Sequence, residues 1–195
     1  MLDLHARVLR QSVDIVDGIG DDQWDRPTPC AQWTVRELVE HMILENRGFA
    51  AAADGETSDR RVWTDRQFVD DRRADYRASA DRVVEAFGAP GVLDGEFWLP
   101  LINPAVRLPA RQAVSFHLLD YVVHGWDVAA SIGRPVRVPA DIAEAALDIA
   151  LREVPDGPRR RRPQASFVPP VEAAPGASAL DRMLAWLGRS PTWPD

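Results

Sequence analysis

The apolar and polar positions of the chain fall into a series of amphipathic helices. Leu2, Ala6, Leu9, Val13 and Val16 recur at alternating spacings of four and three, which lines one face of a helix between Leu2 and Ile19. Gly18 and Gly20 end it. Beyond the loop of residues 23–33, Thr34-Val-Arg-Glu37 has the form of a capping box, in which the two side chains satisfy each other's free N–H groups at a helix start. The helix it opens carries Val35, Leu38, Met42 and Phe49, with His41 two turns in. A third helix is predicted from Thr64 to Phe87 on Val69, Tyr76, Ala80, Val83 and Phe87, stopped by Gly88 and Pro90.

Residues 92–109 hold three prolines and the pair Phe97-Trp98. They read as an extended loop with room for a short hairpin. Ala110 to Ile132 forms the longest and most apolar helix, closed by Gly133 and Pro135, and another runs from Pro139 to Val154. Between Pro155 and Gly176 lie six prolines and the run Arg159 to Arg162, the composition of an exposed connector without a core of its own. A last helix, Ser178 to Leu187, starts on a Ser-x-x-Asp box and stops at Gly188. The expectation is an all-α chain, mainly a four-helix bundle over 1–133, followed by a small C-terminal extension over 134–195.

Composition narrows the classes. At 195 residues with 46% hydrophobic and 27% charged positions the chain is ordinary globular material. A net charge of −7, with arginines scattered except for Arg159 to Arg162, gives a nucleic-acid groove little support. No stretch approaches the roughly 18 apolar residues of a membrane span, and the start MLDLHARVLR lacks a secretory pattern. Cys30 is the single cysteine, so an intramolecular disulfide and a four-cysteine metal site are both excluded. A cytoplasmic protein is expected, with no membrane or nucleic-acid partner; self-association into a homodimer is left open. All 23 basic residues are arginine, which hints at a high-GC, actinobacterial source.

The chemistry concentrates on the most apolar helix. His117, Asp120, His124 and Asp127 recur there at spacings of three, four and three, which stacks them on one face. Burying unpartnered titratable groups is costly, so this stripe must face solvent, pair internally, or hold a metal. His41, on another helix and flanked by Glu37 and Glu45 a turn away on either side, adds a further donor. With Asp120 and His124 it completes a three-ligand set that leaves a fourth position for water or substrate, as in catalytic sites.

The stretch Thr28-Pro-Cys-Ala-Gln-Trp-Thr-Val-Arg-Glu-Leu-Val-Glu-His41 resembles the opening of the second helix in mycothiol-dependent maleylpyruvate isomerases and their DinB-like relatives. Asp120-Tyr-Val-Val-His124-Gly-Trp-Asp-Val-Ala is similar to the fourth-helix motif of that group, and Ala179 to Pro191 to the C-terminal end of an uncharacterised branch. The resemblance implies a DinB-like bundle binding a divalent metal, usually zinc, and carried over it names the same three ligands, His41, Asp120 and His124. The isomerases place Glu where this chain has Asp120, and their substrate-binding arginine has no matched position here.

Other positions keep two readings. His117 is a fourth ligand, an outer partner of the ligands, or part of the cleft lining; Asp127 orients His124 or pairs with an arginine. Glu45 and Asp127 are the candidate proton handlers, and Glu37 a weaker one. Cys30 meets a thiol substrate or is a small buried hydrophobe, and His5 is read as a surface residue. The function implied by the resemblance is metal-dependent chemistry on a small thiol, mycothiol, with an electrophilic co-substrate, of transferase or isomerase type. The rivals are metal-assisted hydrolysis and metal binding without turnover.

Overall fold

The computed structural model describes residues 1–162 and 165–194. Helix α1 (Leu2–Asp17) buries Leu9 and Val16 of the four-and-three stripe together with Val8 and Ile15 beside it, while Leu2, Ala6 and Val13 are half-buried. Thr34 and Glu37 close the capping box at the start of α2 (Val35–Ala53). A single turn, α3 (Arg61–Thr64), precedes α4 (Arg72–Phe87). The strands β1 (Glu96–Trp98) and β2 (Arg107–Pro109) then pair antiparallel, Phe97 opposite Leu108, and lead into α5 (Ala110–Ser131). The extension holds α6 (Ala140–Glu153) and α7 (Ala179–Trp186). Helices α1 and α2 each pack against both α4 and α5, which makes the four-helix bundle; α6 covers α5, and α7 covers α6.

The expected third helix is too long by about two turns at its start. Asp71 accepts from the N–H groups of Arg73 and Ala74, at 3.0 and 3.1 Å, and α4 begins there. A side chain that satisfies free N–H groups nucleates the helix more strongly than the spacing of Val69 to Tyr76 can extend it. Val69 is 58% exposed. The hairpin that the proline-rich loop left room for is present, as β1 and β2.

The connector is less solvated than its composition implies. Arg160 is buried, and its guanidinium donates to the backbone oxygens of Val168 and Trp186. Val171 N–H donates to Ala185 O at 2.9 Å, so the segment is laced to α7 by main-chain oxygens that sequence periodicity does not register.

Gly48 on α2 faces the indole of Trp63, and a Cβ there would come within 2.3 Å of the ring. Alanine normally stabilises a helix interior relative to glycine, but here the ring must shift. Gly48→Ala is expected to lower stability by about 1–3 kcal/mol. A urea midpoint equal to or above that of the parent would show that Trp63 yields freely.

His5, expected at the surface, is 1% exposed. Its Nε2 lies 2.9 Å from Nδ1 of His117, which is itself fully buried and stacked on Tyr121. The shared hydrogen bond lets two imidazoles enter the core where one alone would be unpartnered. Burial lowers the pKa of His5 to about 3, and that of His117 well below its ordinary value. The unfolded chain therefore takes up protons first as pH falls. The stability conferred by neutral His5 is complete above pH 6.5 and is lost as pH drops from 6.5 towards 3. Between pH 7 and 5 the loss from His5 alone is about 2 kcal/mol. Urea denaturation at the two pH values should show it, and the double substitution His5→Leu/His117→Phe should shrink the loss by at least that amount.

Candidate metal centre

Two pieces of local structure aim His41 at α5. Thr28 Oγ1 donates within its loop to the oxygens of Cys30 and Trp33, at 3.0 and 2.9 Å, and so shapes the approach to α2. Trp33 then stacks on the His41 ring with centroids 4.5 Å apart. On the facing helix, Asp120 and His124 are one turn apart, with His124 Nε2 3.3 Å from Asp120 Oδ1. Donor atoms of His41, Asp120 and His124 all lie within 4.8 Å of one another. The rings of His41 and His124 meet edge to face, with centroids 5.4 Å apart.

Behind His124 the arrangement continues inward. Its Nδ1 lies 3.0 Å from Asp127 Oδ2. Asp127 is fully buried and receives both Nε and Nη2 of Arg189, at 3.3 and 3.1 Å. Arg189 is 4% exposed and follows Gly188, whose φ of +80° turns the chain at the end of α7. The sequence reading did not single out Arg189. Its one local signal is an arginine set directly after a helix-stopping glycine.

The electrostatics follow from this geometry. Burial works against an imidazolium at His124, but the Asp120 carboxylate, aided by Asp127, overrides it and raises the pKa to about 10. Burial would also push Asp120 up; the charge of His124, with His41 and His117, holds it at about 2 instead. Burial lowers His41 to about 4, so its imidazole is neutral near pH 7 and its lone pair is available. Glu45 is pushed up to about 8, first by burial and then by the Asp120 charge, and it stands 4.0 Å from His41 Nδ1.

The candidates sort clearly. His41, Asp120, His124 and Glu45 all line one cleft of about 450 Å³. Asp127 sits behind His124, engaged by both His124 and Arg189, and does not line the cleft. His117 stands apart from the three donors and pairs with His5. Glu37 is exposed and spent on the α2 cap. Cys30 is half-buried, and burial raises its thiol pKa.

A divalent cation suits this donor set. Two imidazoles and one carboxylate are a common donor set for such an ion, and the 3.3 Å between His124 Nε2 and Asp120 Oδ1 is a spacing that two donors on one ion can take. Asp120 Oδ2 is buried with no hydrogen-bond partner, a costly condition for a carboxylate oxygen that a cation beside it relieves.

Residues 5–129 match the family model described as the mycothiol maleylpyruvate isomerase N-terminal domain, and the chain belongs to that family. It is 29% identical over 188 residues to Uncharacterized protein MT0763 of Mycobacterium tuberculosis (strain CDC 1551 / Oshkosh), covering 95% of this chain and 96% of the relative. The same figures hold for Uncharacterized protein Rv0738 of strain ATCC 25618 / H37Rv. The fold is also similar to a crystal structure of a mutant mycothiol-dependent maleylpyruvate isomerase, with a TM-score of 0.59 and 14% identity. That match takes in 76% of this chain but 65% of the isomerase chain, just under two thirds. Among the described residues, no helix is long and apolar enough to cross a membrane.

Proposed function

We propose that the chain is a zinc-dependent enzyme that brings mycothiol to an electrophilic co-substrate, as an S-transferase or an isomerase. His41, Asp120 and His124 would hold the metal. The observation that carries the reading is their convergence on one wall of the cleft, together with the buried and unpartnered Asp120 Oδ2. A cation in that position lowers the pKa of a bound thiol and fixes the thiolate in place.

The protein's own groups have distinct tasks in this scheme. Asp127, anchored by Arg189, orients His124 through Nδ1 and leaves Nε2 towards the donors. Trp33 holds the plane of His41. Glu45, with its raised pKa and its place in the cleft wall, can hold or take up a proton near neutral pH. In this scheme the bundle over 1–133 supplies the ligands, and the extension over 134–195 supplies Arg189 and the Phe167 side of the cleft. Among the described residues three protein donors gather, which favours turnover over mere metal storage.

The test is elemental analysis of untagged protein purified with added zinc, beside His124→Ala. About one equivalent per chain in the parent, largely lost in the variant, is expected. No metal in either form would remove the site from consideration. Ester or amide turnover without added thiol would replace the thiol reaction with metal-assisted hydrolysis.

A further inference from the structure

The charge character of the cleft constrains the co-substrate. The ionisable residues lining it, among the described residues, are His41, Glu45, Asp120, His124 and Glu153, and no arginine lines it. The chain contains no lysine. Glu45 and Glu153 offer no positive charge in either protonation state, and the imidazolium of His124 in the metal-free chain is already paired with Asp120 at 3.3 Å and Asp127 at 3.0 Å. Arg189, the buried arginine of the centre, is committed to Asp127. Arg152 lies 2.6 Å from Glu153 but is itself 59% exposed and lines no part of the cleft. Zinc and a thiolate at the three donors leave no surplus charge either, since Asp120 and the thiolate balance the ion.

Apart from Ser166, the rest of the described wall is apolar. Trp33, Phe49, Phe116 and Phe167 supply aromatic surface. Leu101 and Ile102, from the loop between β1 and β2, also line it, and they are 48% and 56% exposed. They carry the apolar surface outward, where a soluble protein normally places polar side chains. A dicarboxylate entering here would lose its hydration and find no guanidinium to replace it. An uncharged apolar molecule would give up only unfavourable hydration.

We propose that the electrophilic partner of this site is an uncharged, largely apolar molecule, and that the cleft rejects dicarboxylates such as maleylpyruvate. The proposal rests on the thiol reading for the word electrophilic, and on the cleft alone for the charge. The test uses the full chain, once stripped of metal with a chelator and once loaded with zinc and mycothiol. The neutral dye N-phenyl-1-naphthylamine reports occupancy by fluorescence. Dimethyl phthalate and phthalate, which share a ring and differ in two charges, compete for it.

The diester is expected to displace the dye at a concentration at least about tenfold below the diacid, the equivalent of one missing ion pair. Ile102→Arg, which puts a guanidinium on the exposed rim of the cleft, should narrow that ratio by admitting the diacid. Equal displacement by both compounds in either form overturns the proposal, as does a dye that does not bind. Failure to load zinc would remove the metal reading while the metal-free arm still decides the charge preference.

Discussion

Replacing His41 with alanine is expected to lower zinc affinity by about a hundred- to a thousandfold. A structural zinc site contributes roughly 10–16 kcal/mol over four ligands, or about 3–4 kcal/mol for each. The imidazole of His41 is neutral near pH 7, so removing it takes away a donor without stranding a charge. It lies at the edge of the cleft against Trp33, and its loss leaves the bundle's apolar contacts in place. Competition with a chromogenic chelator measures the affinity, and circular dichroism melting checks the fold. A variant that keeps the parent's affinity to within a few fold would show that His41 is packing, and that Asp120 and His124 bind nothing with it.

Arg189→Gln should destabilise the chain by about 3 kcal/mol, because breaking a buried ion pair leaves a charge uncompensated. For a chain of this size that is a fall in Tm of roughly 6–12 °C. The imidazolium of His124 remains as a partner for Asp127, which keeps the loss at the lower end of the range. That residual pairing has a second consequence. Asp127, released from Arg189, stabilises the imidazolium form of His124 more strongly, and zinc must displace the proton on Nε2 of that imidazolium to bind. A further loss of about 10- to 100-fold in zinc affinity is therefore expected, the usual effect of disturbing a ligand's orienting partner. Arg189→Gln/Asp127→Asn removes both charges and should regain most of the stability. A double variant no more stable than the single one would mean that Arg189 acts through its packing against Phe167.

Much of this architecture can be read one segment at a time. The capping box at Thr34, the Ser178 side chain that caps α7 and the helical spacing of α1 are local devices, and the structure has each, although at Ser178 the reciprocal arm of the box is not made. Val69 continues the spacing of Tyr76 and Ala80 and so extends the helical pattern too far back, whereas the Asp71 cap decides where α4 begins. The polar stripe of α5 was visible for the same reason as the helices, since residues three and four apart share a face whatever surrounds them.

By itself the sequence determined the elements whose signals lie within a helical turn or two, and it named His41, Asp120 and His124 as candidates, whose donor atoms the packing of α2 on α5 brings together. Tertiary structure alone decided the partners. His5 became a core residue because His117, 112 positions away, completes its hydrogen bond. Asp127 became an anchor because Arg189, 62 positions on, reaches its carboxylate. The charge of the cleft was likewise settled by which side chains fold against it and which are drawn away into ion pairs. Pairing energies of this kind depend on distance in space and on burial, and neither is written in local spacing.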